Sequence, residues 1–263
     1  MHQKIVKYLD FLRDSCALAV SVHFRAERLS ALPHEVFLSL LPYNSHRNLY
    51  CMEVKKGCSE RCLAAQRGIY EGESAPHIRI CHAGVCEYVA PVSLSDAVIG
   101  FVAVSGYRKE FPLSSPAPRA LWESVLSEEP VPQALLEAVI PPLAVMLEGL
   151  FAKYAHKEAD EFNQMIAYLS EYHGAPSLDA LCQRFHRSRS YVSRLFNARA
   201  GCSLRAFCND LKLKDAKALL ESTTLPVTEI AYATGFGDTS YFIKLFKEKY
   251  QASPYKYRRN HKE

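Results

Sequence analysis

The sequence predicts an α+β unit followed by an all-α unit, and three observations carry this. In the last hundred residues, two patterns of short amphipathic helix, tight turn and second helix stand roughly fifty residues apart. Before residue 110, short helical and β-like segments alternate and end in two Val- and Ile-rich segments joined by a turn. Charge is also divided unevenly. From Lys157 onward 17 Lys and Arg face 12 Asp and Glu, whereas 15 face 16 before it. With 263 residues and 49% hydrophobic content, the chain can build two domains, each with a core.

The N-terminal elements follow from spacing. Ile5, Tyr8, Leu9 and Leu12 repeat as one helical face. Ala17–Phe24 and Glu35–Leu41 read as strands. Lys56–Tyr70 reads as a helix with Cys58 and Cys62 on one face, because residues i and i+4 are neighbours. His77–Cys81 is short and β-like. Cys86–Leu94 and Ala97–Tyr107 form a hairpin turning at Ser95-Asp96.

Phe111–Pro118 is rich in Pro and Ser and reads as loop. Ala120–Ser127 is a short helix. Pro132–Ile140 is another, stopped by Pro141-Pro142, and a longer helix begins at Pro142. There Leu143, Met146, Leu147, Leu150, Phe151 and Tyr154 form an apolar stripe. The stripe serves equally as a homodimer seam or as a face packed on its own domain. Charged Lys157–Glu161 marks a boundary. The domains are then 1–112, a helical connector over 113–158, and 159–263.

In the second half Phe162–Tyr172 supplies a leading helix. Ser177 is a fitting N-cap, its hydroxyl accepting a backbone N–H, and Leu178, Leu181 and Phe185 form the buried face behind it. Ser188 caps the next helix. Tyr191, Val192, Leu195 and Phe196 hold that helix to the core, which leaves Arg189, Ser190, Ser193, Arg194 and Asn197 outward, and Gly201 ends it. Leu204–Ser222 is a connecting helix of nineteen residues, roughly 28 Å long, against about 34 Å for one turn of DNA. In the second unit Ile230, Ala231 and Phe236 are core and Asp238 can cap. Phe242, Leu245 and Phe246 anchor, and Thr239, Ser240, Lys244 and Lys247 face outward. Ser253-Pro254 opens a final helix. Two such units on one chain predict reading of two adjacent major-groove segments of double-stranded DNA, and the basic excess fits phosphate contact.

The residues Ser188…Tyr191-Val-Ser-Arg-Leu-Phe196, Gly201, Glu229-Ile-Ala231, Gly235-Phe236, Ser240-Tyr-Phe242, Phe246-Lys247 and Ser253-Pro254…Tyr257-Arg258 resemble the AraC family of bacterial transcription regulators over roughly 160–260. The resemblance implies a bipartite DNA-binding domain, usually in an activator that recruits RNA polymerase. It nominates Ser190, Ser193 and Arg194, then Thr239, Ser240 and Lys244, as base contacts. Arg194 and Lys244 can donate to guanine O6 and N7 or meet phosphate alone. Lys212 stands where that family commonly has Arg. Gln251 stands where it commonly has Gly, which costs energy only if the backbone there needs φ > 0.

Cys51, Cys58, Cys62, Cys81 and Cys86 crowd into 36 residues, with His82 beside Cys81. In a reducing compartment they are not a disulfide framework. They can hold zinc or an iron–sulfur cluster, line an organic-ligand pocket, or be reduced core thiols beside a hydrogen-bonded His. Cys58-Ser-Glu-Arg-Cys62, Ile80-Cys-His-Ala-Gly84, Glu87-Tyr-Val-Ala-Pro-Val92 and Ile99-Gly-Phe resemble the PocR sensory domain over roughly 5–110. That is a PAS/GAF-like module often fused to AraC-type domains, and it implies a small organic effector such as a diol.

The expected protein is therefore an effector-controlled regulator and not an enzyme. The alternative is a metal- or thiol-responsive regulator built on Cys58, Cys62, Cys81 and Cys86. A remote alternative is a DNA-alkylation repair methyl acceptor, which would use one thiolate as nucleophile, but the cysteine spacing departs from that pattern. No P-loop, dinucleotide glycine motif or Ser-His-Asp arrangement is visible. The N-terminus lacks a signal-peptide core and no apolar run reaches bilayer length, so a cytoplasmic protein without membrane contact is expected.

Overall fold

The computed structural model describes residues 1–260 apart from Ser45, Arg47, 73–74, Asp96, 113–114, Pro116 and 173–175, and apart from the side chains of 56–59. The chain divides into two compact units, Met1–Ala167 and Tyr168–Glu263.

In the first unit α1 (His2–Asp14), β1 (Ala19–Phe24), α2 (Ala26–Ser30), α3 (His34–Leu40) and a 3-10 turn (Leu41–Tyr43) precede the long α4 (Leu49–Gly72). Strands β2 (His77–Ile80), β3 (Val85–Leu94) and β4 (Ala97–Arg108) follow, then α5 (Arg119–Val125), α6 (Gln133–Ala152) and the start of α7 (Glu161–Glu171). The sheet order is β1-β4-β3-β2 and every pair is antiparallel. Successive residues face opposite sides. Phe101 and Ala103 of β4 therefore meet Ile69 of α4 on one face. Phe24, paired with Gly100, meets Phe151 of α6 on the other, with ring centroids 4.3 Å apart. Helix α1 lies beside α6, where the Tyr8 hydroxyl donates to Val139 O at 2.9 Å.

Two expectations are corrected. Glu35–Leu41 is not a strand. Pro33 precedes α3, and Val36, Phe37 and Leu40 are buried at helical spacing, a pattern too short for sequence to separate from alternation. The helix expected to stop at Pro141-Pro142 runs unbroken from Gln133 to Ala152. The carbonyls that lose donors belong to the exposed Glu137 and Ala138, which water can reach. Meanwhile Leu136, Ile140, Leu143, Leu147 and Leu150 are buried. Joined in this way, α6 has the length and composition of a bilayer span, with a mean hydropathy of 1.7 over its most apolar stretch. Of the two readings of the stripe, packing on its own domain fits the structure: Leu143, Leu147, Leu150 and Phe151 are buried and Met146 and Tyr154 half-buried.

In α7, Phe162 and Asn163 belong to the first unit. Asn163 Nδ2 donates to Ser30 O (3.2 Å) and Leu32 O (3.1 Å), and His34 Nδ1 lies 2.7 Å from Asn163 Oδ1. The second unit is all-helical: α8 (Leu178–Phe185), α9 (Arg189–Ala200), α10 (Leu204–Ser222), α11 (Val227–Ala233), α12 (Thr239–Tyr250) and α13 (Pro254–Asn260).

Candidate functional site

Helices α8 and α9 form the first helix-turn-helix. Ser177 Oγ accepts from Ala180 N and Ser188 Oγ from Tyr191 N, both at 3.2 Å, so each helix starts on its own side-chain cap. Between them His186 takes φ +51°. Val192 and Phe196 are fully buried, and Phe196 meets Phe207 of α10 at 5.5 Å. Fixing that face leaves Ser190, Arg194 and Asn197 exposed and Ser193 half-buried. Arg189 is also exposed, but its guanidinium is engaged: Nε and Nη2 donate to the two Asp179 oxygens at 2.7 and 2.6 Å. That tie across the turn was not read from the sequence.

Helices α11 and α12 form the second. Asp238 Oδ1 accepts from Tyr241 N at 2.5 Å. Phe242 and Phe246 are fully buried, whereas Ser240, Lys244 and Lys247 are exposed and Thr239 is half-buried. This unit is bound to α10 along its length. Lys212 Nζ donates to Gly235 O at 3.0 Å, Asn209 Nδ2 to Tyr241 Oη at 3.1 Å, and Tyr257 Oη to Glu221 Oε1 at 2.7 Å. Lys249 pairs with Asp210. Burial raises the Asp210 carboxyl, but Lys249 and Lys214 outweigh it and hold its pKa below the ordinary value. Burial lowers Lys249 in turn. Lys212, the departure from the familiar Arg, therefore joins the linker helix to the second turn. Gln251 does take φ +56°, the conformation in which a non-glycine residue is strained. Its Nε2 donates back to Glu248 O at 2.8 Å.

In the first unit a small cavity of about 40 Å³ gathers Cys51, Cys62, Cys81 and His82 around Glu87, Arg79 and His46. Cys86 does not line it, and the Cys58 side chain lies outside the described residues. Glu87 is buried, with Arg79 Nε 2.9 Å and His46 Nε2 3.5 Å away. Burial lowers His46, against the pull of Glu87, and lowers His82. Behind the cavity, Gln66 Nε2 lies 3.4 Å from Nδ1 of the buried His23, whose Nε2 is 2.9 Å from Ser21 Oγ. Burial pushes the Cys51 and Cys81 thiols up, which favours neutral SH over the thiolate that metals and electrophiles need. Among the described residues, no three His, Cys, Asp or Glu side chains converge as a metal set. The Cys81-His-Ala-Gly84 element is the β2–β3 turn. Ala83 O accepts from Tyr50 Oη at 2.7 Å and Gly84 O from Trp122 Nε1 at 3.3 Å.

Comparison with known proteins agrees with this geometry. A family model described as a helix-turn-helix domain matches residues 181–260. The uncharacterized HTH-type transcriptional regulator YijO of Escherichia coli is 35% identical over 101 residues, 38% of this chain and 36% of that protein. The raffinose operon regulatory protein RafR of Pediococcus pentosaceus is 35% identical over 105 residues, 40% and 38% of the two chains. The chain thus spans little more than a third of the length of these curated relatives. The C-terminal domain of the response regulator yesN from Fusobacterium nucleatum is 31% identical, with a TM-score of 0.34, over 36% of this chain and 93% of that one. Residues 181–260 are a helix-turn-helix domain. More particularly, α8–α9 and α11–α12 are two helix-turn-helix units on one linker helix, α10.

Proposed function

We propose that the chain is a sequence-specific DNA-binding transcription regulator controlled by a small organic molecule in its PocR-type N-terminal unit. One observation carries the DNA reading: two capped helices on a common linker helix each expose a short polar and basic face. In the first, Ser190, Arg194 and Asn197 are outermost, with Ser193 at the edge. In the second, Ser240, Lys244 and Lys247 are outermost, with Thr239 at the edge. Arg194 and Lys244 read base edges and Lys247 meets phosphate. Arg189 reaches DNA only by leaving Asp179. RNA polymerase is the protein partner, as for an activator; a Salmonella relative 34% identical over 96 residues is named the transcriptional activator RhaS.

The N-terminal cavity supports the control reading. Glu87 Oε2 and His46 Nε2 are buried and face each other at 3.5 Å with no hydrogen-bond partner besides, so an entering hydroxyl could bridge them. The thiols then line an organic pocket.

Selection of duplexes from a random pool by the full chain tests the first claim. Enrichment of two short motifs about one helical turn apart is expected. Arg194→Ala should relax one motif and Lys244→Ala the other. Enrichment of no sequence would sink the reading. Thermal-shift screening with small hydroxylated organics tests the second: a stabilising compound whose effect vanishes in Glu87→Gln is expected, and no hit in the wild-type chain removes effector control.

A further inference from the structure

We propose that the first unit holds a second ligand site, a cationic cleft that binds a small aromatic carboxylate. The cleft, of about 420 Å³, lies between α2, the β3–β4 end of the sheet and the residues that follow α6. That volume falls within the range of small-molecule sites. All its lining residues belong to the unit Met1–Ala167, and none of them lines the thiol cavity. One wall is held rigid. Arg25 lines the cleft, but its guanidinium is engaged: Nε donates to Val98 O and Nη2 to Tyr70 O, both at 3.2 Å, and it stacks 4.9 Å from the centre of the Tyr70 ring. Arg28, further along α2, is the opposite case. It is half-buried, and among the described residues nothing pairs with its guanidinium. A partly buried cation without a partner is costly until an anion joins it. Lys157 enters from the segment after α6, with Nζ 5.4 Å from the centre of the Tyr154 ring.

Charge and shape select the occupant. With Arg25 committed, Arg28 and Lys157 face one acid among the lining residues, Glu27. The surplus of one positive charge matches a monoanion. A guanidinium takes a carboxylate through two parallel N–H···O bonds. Half-buried Leu94 and Val98, with the Tyr154 ring, form an apolar wall. A flat aromatic body covers that wall, whereas a bare inorganic anion leaves it wet. The cleft also has a meaningful place in the chain. Asp160 N and Asn163 Nδ2 donate to Ser30 O at 3.1 and 3.2 Å, which fastens the start of α7 to the end of α2. A carboxylate held by Arg28 and Lys157 adds a second link between α2 and the segment leading into α7. Binding therefore favours the state in which the two are joined.

The proposal is independent of the DNA-binding reading and of the hydroxyl compound in the thiol cavity. Calorimetric titration of the full chain with phenylacetate tests it, with phenylacetamide and inorganic phosphate as comparators. Phenylacetate should bind, and the neutral amide and phosphate should bind at least ~tenfold more weakly. Arg28→Ala should also weaken phenylacetate at least ~tenfold, the loss expected for a charge-assisted hydrogen bond. Lys157 is exposed, so Lys157→Gln should leave the melting of the ligand-free chain unchanged while weakening phenylacetate about threefold. Glu87→Gln should bind phenylacetate as the wild type does. No binding at ~10 mM phenylacetate, equal binding of phenylacetamide, binding indifferent to Arg28 and Lys157, or binding lost in Glu87→Gln overturns the proposal.

Discussion

In the first helix-turn-helix His186 occupies the left-handed turn at φ +51°, whereas in the second Gly235 does so at φ +82°. After α9 and α12 the assignment reverses, with Gly201 at φ +67° in the first and Gln251 at φ +56° in the second. Each unit thus carries one strained non-glycine, at a cost on the order of 1 kcal/mol. What offsets it differs. Around Gln251 stand the Lys249–Asp210 pair and a chain of rings: Phe242, Phe246, Tyr250 and Tyr257, with neighbouring centroids 4.5–5.6 Å apart around Phe246. Around His186 the described contacts include the Arg189–Asp179 surface ion pair, Arg187 over the Tyr191 ring at 4.9 Å and the Phe196–Phe207 contact. Among the described residues the side-chain hydrogen bonds to the linker helix run from the second unit, and if the domain binds DNA as proposed the first unit is expected to adjust its angle more freely.

The largest effect tests that asymmetry. Phe246→Ala should cost ~4–5 kcal/mol and Phe196→Ala about 3, by urea denaturation followed in the second unit. Phe246 packs against the rings of Phe242, Tyr250 and Tyr257, and the reverse order would refute unequal anchoring. Next, Lys212→Met removes the bond to Gly235 O. It should cost about 1 kcal/mol and blur the DNA motif read through Lys244 more than the one read through Arg194. The Asp210–Lys249 pair adds a pH test. Because Asp210 titrates below its ordinary 3.8 in the folded chain, its contribution is present above that value and lost as pH falls through the folded pKa. The stability gap between wild type and Asp210→Asn should therefore close below about pH 4.

The caps Ser177, Ser188 and Asp238 were legible because a cap is decided within four residues of sequence. The linker helix was legible for a similar reason, since its apolar positions repeat within one segment. The ties that separate the two units were not. Lys212–Gly235, Asp210–Lys249 and Glu221–Tyr257 span 23 to 39 residues, and no local pattern announces them. The same limit explains α6, where local rules stop a helix at two prolines and only packing on β3 carries it through. In the cavity, the sequence supplied the thiols and His82 but not Glu87 and His46, which enter from a strand and a loop.

Two smaller effects follow from the exchanged glycines. Gly201→Ala should cost about 1 kcal/mol, because alanine pays for a left-handed backbone that glycine adopts freely. Gln251→Gly should gain roughly 0.5 kcal/mol or less. It relieves strain but gives up the bond to Glu248 O and loosens the unfolded chain. A loss on Gln251→Gly would mean that this side-chain bond outweighs the strain.

The smallest expected effect on stability concerns Arg189. Its pair with Asp179 is bidentate yet fully exposed, and holding two solvated side chains in one geometry returns little. Arg189→Ala and Asp179→Ala should both leave the melting temperature unchanged. On DNA they should separate. If Arg189 leaves Asp179 to meet phosphate, Arg189→Ala lowers affinity and flattens the salt dependence by about one counterion. Asp179→Ala then raises affinity a few-fold, because it frees the guanidinium and removes a negative charge near the duplex. If both substitutions lower affinity together, the pair instead holds the turn of the first unit in register, and that unit is no freer than the second.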